Sequence, residues 1–174
     1  MNDIRSGLLI AALMGVFGSV SGPAMAQPAS QPETTTATYQ DWVVRCTTTP
    51  EKVRACEIVQ NLQVEGQGVV ASIALGKADA KAPLRLVVQL PAGVWLPTSV
   101  AFSVSEKAKP LQLEYKRCLQ ACFADIELDA AAVQALRTAT EPGSFSFDDG
   151  ARRPVKLPVS FKGFAPALDA SLKP

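Results

Sequence analysis

Short segments in which apolar and polar residues alternate constrain the fold of this chain more than any other feature of its sequence. The clearest runs from Leu84 to Leu90, where leucine or valine at every second position alternates with Arg85, Val87 and Gln89. A period of two places successive side chains on opposite faces of a strand, so this segment is predicted to be a half-buried β-strand. Strands are predicted likewise at residues 42–46, 54–62, 68–76, 101–105, 111–116, 122–128, 144–148 and 153–161.

The number and spacing of these strands predict the fold class. About eight or nine strands, with turn signals roughly every 8–15 residues, favour an all-β sandwich over a βαβ arrangement. One segment departs from the pattern, because Asp129 is suited to cap a helix and the alanine-rich stretch Ala130–Thr138 follows it. We therefore expect one short helix, ended by Pro142-Gly143. Pro158 lies within the last strand, which predicts an edge strand or a bulge there.

The first residues of the chain predict its destination. Arg5 precedes an apolar stretch of about 14 residues, which is short of the ~20 that a membrane-spanning helix needs. The triplet Ala24-Met25-Ala26 follows as an A-x-A cleavage signal, so residues 1–26 are predicted to be a secretory signal peptide. Residues 27–38 are polar and contain proline, which predicts a flexible leader before a single domain over residues 39–174. The mature protein is expected to be exported and to have no transmembrane segment.

The cysteines agree with export. The chain has four, Cys46, Cys56, Cys118 and Cys122, and an even number in an exported protein predicts disulfides. Several connectivities are open, and we favour the local pairs 46 with 56 and 118 with 122, the second of which would close its own hairpin. A redox pair and a cysteine-ligated zinc site are the alternatives, although neither pair has the C-x-x-C spacing of thioredoxin-like motifs.

Composition excludes several classes of function. The chain has no histidine, which rules out Ser-His-Asp and Cys-His nucleophiles and histidine-ligated metal sites. Its formal charge of +1 gives no reason to expect a nucleic-acid partner. Asp125 and Glu127 lie two apart on a predicted strand and are the one carboxylate pair that would suit a glycosidase, but amphipathic strands carry such pairs routinely. We expect a protein that is not an enzyme and that uses no cofactor or metal.

Two groups of residues are candidates for binding. Trp95 lies between Pro91 and Pro97 in a predicted loop, and an exposed aromatic loop is the best binding-site candidate in the chain. Trp42, by contrast, is predicted to lie in the core. A modest basic neighbourhood would suit an anionic partner, but we favour the interpretation that it is a solvated face balanced by Glu106 and Glu114. Its members are Lys107, Lys109, Lys116, Arg117, Arg152, Arg153 and Lys156.

Several local motifs together carry a family resemblance. In chain order they are Trp42-Val43-Val44-Arg45-Cys46, Ala55-Cys56-Glu57-Ile58-Val59-Gln60, Leu86-Val87-Val88-Gln89-Leu90-Pro91-Ala92-Gly93-Val94, Cys118-Leu119-Gln120-Ala121-Cys122-Phe123-Ala124-Asp125 and Ser160-Phe161-Lys162-Gly163-Phe164. Their order, spacing and shared cysteines resemble the invasion-associated locus B family of exported proteobacterial proteins, over residues 39–168. Phe161 is a small departure, because family members tend to have leucine before this lysine.

The resemblance implies an immunoglobulin-like β-sandwich that is periplasmic, peripherally associated with the outer membrane, or secreted. The family is named for invasion of red blood cells by a pathogen, so a role of this chain in host-cell invasion would rest on the family name alone. It supplies no catalytic residues. Our first hypothesis is a non-catalytic module that binds a protein or envelope component. The alternatives are a periplasmic envelope-maintenance or stress protein that acts through strand edges, and a cell-wall hydrolase that uses Asp125 and Glu127.

Overall fold

The strands of the protein form one continuous antiparallel ladder. The computed structural model describes residues 32–173, and within that range it contains ten strands and two helices. The elements are β1 (Glu33–Tyr39), β2 (Trp42–Thr48), β3 (Arg54–Val64), β4 (Gly68–Gly76), β5 (Arg85–Pro91), β6 (Val100–Ser103), β7 (Leu111–Cys118), β8 (Ala121–Glu127), α1 (Ala130–Thr138), β9 (Gly143–Asp148), β10 (Pro154–Val159) and α2 (Phe164–Ser171). The predicted signal peptide and the leader as far as residue 31 lie outside the described residues.

The ladder folds over on itself at β7. Its order is β1-β2-β3-β4-β5-β8-β7-β6-β9-β10. Residues Glu114–Cys118 of β7 pair with β8, whereas Leu111–Leu113 pair with β6, so one strand carries the ladder from the first layer into the second. The end of β10 returns to β3, and this contact closes the two layers over a common core. The result is the all-β sandwich that the alternating segments predict.

The core lies between the layers, on the side chains of one face of each strand. Its largest fully buried members are Trp42, Phe102, Phe145, Phe164, Ile58, Ile73, Leu75, Leu86, Leu90, Leu113, Leu136 and Leu168. The ring of Trp42 meets that of Phe164 edge to face, with centroids 5.1 Å apart. Its indole N–H donates to the carbonyl oxygen of Ser160 at 2.8 Å, so the one polar atom of this side chain is satisfied inside the core.

Most predicted elements are confirmed. Strand β4 has the predicted bounds, and so does helix α1, at whose start the Ala132 N–H donates to the Asp129 carboxylate at 2.7 Å. Pro158 lies in β10, which is the last strand of the ladder and pairs with β9, so the predicted edge strand is confirmed too. An edge strand tolerates proline because one side of its backbone needs no N–H donor.

The predicted flexible leader is wrong for residues 33–38. Strand β1 starts at Glu33, inside the segment 27–38 that was expected to be flexible, and pairs with β2 over its whole length. The segment looks like a linker because it has no apolar period, yet it is rich in threonine, whose β-branched side chain favours strands. From Glu33 to Thr38 the side chains of β1 are exposed, so this strand has no buried side for hydrophobic alternation to reveal.

A second helix corrects the prediction of one. The sequence does not predict helix α2, because the helix is short and contains Pro166, which is usually a sign of a helix break. Pro166 lies in the first turn, where the backbone N–H has no helical partner, so proline does no harm there. Gly163 precedes the helix with φ +81°, and a Cβ at this position would stand 1.9 Å from the carbonyl oxygen of Tyr39. The turn into α2 therefore requires glycine.

Candidate interaction surface

Both disulfides join directly opposed residues of neighbouring strands. Cys46 on β2 is bonded to Cys56 on β3, and Cys118 on β7 is bonded to Cys122 on β8. These are the local pairs that the sequence favours, and they use all four cysteines of the chain. The Cys118–Cys122 bond joins β7 and β8 next to the turn that connects them.

The turn that this disulfide closes presents a leucine to solvent. Leu119 is 83% exposed, and its backbone N–H donates to the carbonyl oxygen of Ala121 at 3.0 Å, which fixes the turn. Turns are normally polar, so an apolar side chain at such a tip is unusual. Burying a leucine side chain contributes about 1.5–3 kcal/mol, and almost all of that remains available to a partner of Leu119.

An aromatic side chain and an arginine lie beside this tip. Phe123 on β8 lies opposite Gln89 on β5 and Arg117 on β7, on the face of the sheet that points away from the core. The guanidinium of Arg117 lies 4.5 Å from the centre of the Phe123 ring, a cation–π distance. Together with Leu119 these residues line a shallow depression of about 800 Å³.

A second, smaller depression adjoins the first. It has a volume of about 210 Å³, it shares Gln89, Gln120 and Ala121 with the larger one, and it extends to Val69, which is 54% exposed. We call the joint surface the hairpin patch, and its residues are Val69, Gln89, Arg117, Leu119, Gln120, Ala121 and Phe123. Among the residues that line the two depressions, the single charged side chain is that of Arg117. The patch is thus mainly apolar, with amides and one cation.

The predicted carboxylate pair lies elsewhere on the same sheet face. Asp125 and Glu127 on β8 project to the same side, and both are bound by Arg85 of β5, the Asp125 contact being 2.5 Å long. One guanidinium between two carboxylates on an open sheet is an ion-pair network. A glycosidase instead needs two carboxyl groups that face each other across a sugar.

Trp95 is partly covered by its surroundings. The guanidinium of Arg152 lies 4.0 Å from the centre of its ring, and the Trp95 N–H donates to the carbonyl oxygen of Asp148 at 2.9 Å. The Thr98 hydroxyl donates to the Asp148 carboxylate at 3.1 Å, and this bond ties the same loop to Asp148. Trp95 is half-buried, and it lines neither depression of the hairpin patch, so the structure does not bring this predicted loop together with the exposed leucine.

The predicted basic neighbourhood separates into distinct contacts. Lys116 binds Glu114 at 2.7 Å, which lowers the pKa of that carboxyl group, and Arg153 binds Asp149, which lowers the pKa of Asp149. Arg117 lies over an aromatic ring, as described above. Two of the seven basic residues, Lys116 and Arg153, thus lie in ion pairs with acidic neighbours.

The sequence contains a signal for the patch. Leu119 lies between two cysteines in a predicted hairpin turn, and an apolar residue at that place is itself the anomaly. Within residues 32–173, Asp, Glu and Cys side chains form no group of three or more that could hold a metal ion. In the same range, neither helix has the length and apolar character that a membrane crossing requires.

Comparisons with known proteins agree with this architecture. The model of the family described as invasion associated locus B protein matches residues 42–172. Invasion protein B homologs from two Brucella abortus strains, 2308 and biovar 1 strain 9-941, are each 32% identical over 139 residues, which cover 76% of this chain and 76% of each relative. The crystal structure of invasion associated protein B from Bartonella henselae superposes with a TM-score of 0.68 at 21% identity, covering 79% of this chain and 95% of that one, and it shows the shared fold. By the family match and the Brucella relatives, the chain belongs to the invasion associated locus B family.

Proposed function

We propose that the protein is an exported, non-catalytic binding module that holds a protein or envelope component at the hairpin patch. The observation that carries this proposal is Leu119, 83% exposed at the tip of a hairpin that the Cys118–Cys122 disulfide closes. An exposed apolar side chain on a rigid support loses little conformational entropy when a partner covers it. The remainder of the patch supplies an aromatic ring, two amides and one cation around this anchor.

The composition of the patch is that of a protein-recognition surface. Aromatic and arginine side chains are enriched at such interfaces, and the patch supplies one of each, Phe123 and Arg117, beside the exposed leucine. The Arg117 side chain is held by the Phe123 ring, so its charge is already ordered for a partner carboxylate or carbonyl oxygen. The partner proposed here therefore has an apolar group for Leu119 and an acceptor for Arg117.

Export is part of the proposal. It is supported by the signal-peptide pattern of residues 1–26, and by two disulfides, which persist in oxidising compartments. The Brucella and Bartonella relatives are named for invasion. We extend to this chain the proposal that its partner lies in the bacterial envelope or on a host cell, with the protein in the periplasm, peripherally at the outer membrane, or secreted.

The absence of catalysis is proposed on two grounds. The chain has no histidine to act as a proton shuttle near neutral pH. The carboxylate pair considered for hydrolysis, Asp125 and Glu127, is bound by Arg85 on an open face of the sheet. A purified sample that cleaves peptidoglycan, and loses this activity in the Asp125→Asn variant, would argue against the proposal.

The binding role is tested by photo-crosslinking in cells that export the protein. A photoreactive residue in place of Gln120 lies in the patch, and one in place of Thr98 lies in the Trp95 loop. We expect discrete adducts from position 120, and we expect them to disappear when Leu119→Ser is added, because that change removes the apolar anchor.

The matched control is Leu96→Ser, which removes another leucine that is 47% exposed, next to Trp95. Once the adduct is identified, its affinity should fall about 10- to 100-fold with Leu119→Ser, which corresponds to about 1.5–3 kcal/mol, and stay unchanged with Leu96→Ser. Adducts from position 98 that depend on Leu96 would instead assign binding to the Trp95 loop and overturn the proposal.

A further inference from the structure

The two edges of the sheet differ in whether a further strand can pair with them. Strand β10 at one end contains Pro154 and Pro158, which interrupt the donors that a further strand would need. Strand β1 at the other end has no proline or lysine, and its register with β2 runs without a shift from Glu33 to Tyr39. A straight edge that lacks these protective residues is a template for another strand.

The β1–β2 turn determines which backbone groups face outward. Only Gln40 and Asp41 separate the paired residues Tyr39 and Trp42. In a two-residue hairpin the flanking pair exchanges hydrogen bonds, and such pairs then alternate along the strands. The N–H and C=O groups of residues 34, 36 and 38 of β1, all threonines, therefore point away from β2. The next position with this orientation is Pro32, which has no N–H and ends the edge.

We propose that β1 pairs antiparallel with β1 of a second copy of this chain, about a two-fold axis at Thr36. In this register Thr36 faces its own counterpart and Thr34 faces Thr38 of the second copy, with about six backbone hydrogen bonds across the pair. The threonine side chains share the outer face of the sheet and meet as cross-strand threonine pairs, which stabilise antiparallel sheets. The strand is thus complementary to itself.

The charges near this edge permit the pairing. Glu33 is the only charged residue of β1, and in the proposed register it lies opposite Tyr39 of the second copy, so no like charges meet. Arg45 on β2 lies directly opposite Thr36 on β1, one strand further from the proposed two-fold axis. The two copies of Arg45 would be about 14 Å apart, three strand spacings, which is beyond the Debye length of ~8 Å at physiological salt. Each is also bound to Glu57 at 2.6 Å.

The symmetry limits the assembly to two copies. A two-fold pairing of identical edges uses each β1 once, and the prolines of β10 block extension at the far end. A single strand pair buries less surface than a standard stable interface, so the dimer is expected to be weak and to dissociate on dilution.

Sedimentation of the protein purified from exporting cells tests the inference. We expect the molecular mass to double between micromolar and millimolar protein. Thr36→Pro removes an outward-facing N–H and leaves the β1–β2 hydrogen bonds in place, so this variant should remain a monomer, with the circular dichroism of the parent protein. Thr36→Val is the matched control and should dimerise, because it keeps the backbone donor and the β-branched side chain.

Single cysteines supply a second measurement that is independent of the proline variant. Thr36→Cys places two thiols opposite each other at the axis, and we expect a disulfide-linked dimer under oxidising conditions. Thr34→Cys would face Thr38 and should yield no such dimer. A parent protein that is monomeric at millimolar concentration, a Thr36→Pro variant that still dimerises, or equal crosslinking at both positions would overturn the proposal.

Discussion

The side-chain amide of Gln60 and the backbone of Ser160 pair with each other in both directions. The Gln60 Nε2 donates to the Ser160 carbonyl oxygen at 3.0 Å, and the Ser160 N–H donates to the Gln60 Oε1 at 3.0 Å. Gln60 is 4% exposed. Because Ser160 follows β10 and Gln60 belongs to β3, this pair extends the hydrogen bonding of the sheet across the seam between its two layers.

Replacement of Gln60 tests how much this contact between the two layers contributes to the free energy of unfolding. In Gln60→Leu, the Ser160 N–H loses its acceptor, while the Ser160 carbonyl oxygen keeps the Trp42 indole N–H as a donor. Leaving a buried donor unpaired costs roughly 1–3 kcal/mol, so we expect the free energy of unfolding in urea to fall by that amount. Gln63→Leu, an exposed glutamine on the same strand, is the control and should change it by less than about 0.5 kcal/mol. Equal losses of stability in the two variants would contradict a stabilising role for the Gln60–Ser160 hydrogen bonds.

Substitutions at two glycines allow the cost of backbone strain to be measured apart from the cost of a close atomic contact. Gly163 and Gly66 both have positive φ angles, +81° and +76°, but only Gly163 has a neighbour, the Tyr39 carbonyl, in the space that a Cβ would fill. We expect Gly66→Ala to cost about 1 kcal/mol from strain alone. Gly163→Ala should cost roughly 2–5 kcal/mol, since α2 must move away from β1 as well. Thermal unfolding of both variants measures the difference, and a cost at Gly163 no larger than at Gly66 would show that the contact is unimportant.

The two disulfides are expected to differ in stabilisation. The chain-entropy model assigns a closed loop of ten residues about 2.7 kcal/mol and one of four residues about 2 kcal/mol. The double replacement Cys46→Ser with Cys56→Ser should therefore destabilise the protein more than Cys118→Ser with Cys122→Ser, as measured by chemical denaturation. The second double variant should lose crosslinking at the hairpin patch while it remains folded. Retention of full crosslinking would show that the bond is not needed to present Leu119.

Tyr115 predicts a loss of stability at high pH. Burial, together with the charge of Asp148, raises the pKa of its phenol to about 12, above the ordinary value of 10. The unfolded chain therefore releases this proton first, so the stabilisation is complete below pH ~10 and is lost as the pH rises through about 12. We expect the urea midpoint of the parent protein to fall more steeply between these values than that of Tyr115→Phe. Parallel curves for the two proteins would place the phenol in a solvated environment.

Much of the fold was predictable from the sequence because it depends on local patterns. Strand β5 and its neighbours show alternation, since one face must be buried and the other solvated. Helix α1 has its cap at Asp129, and the cysteine pairs lie close in sequence. The candidate site was less predictable from the sequence. Leu119 and Phe123 could be located in one hairpin, but the addition of Gln89 and Val69 to the same surface depends on the order of β4, β5 and β8 in the sheet.

The sequence by itself determined which segments become strands and where the covalent clips form, because side-chain periodicity and chain proximity are properties of neighbouring residues. Only the tertiary structure decided the roles of β1, α2 and Arg85. Strand β1 exists because β2 offers a partner, and α2 forms where Phe164 can cover Trp42. Arg85 takes Asp125 and Glu127 because β8 joins β5. Each of these depends on contacts between residues that are distant in the chain, whose free energy appears only when the layers close.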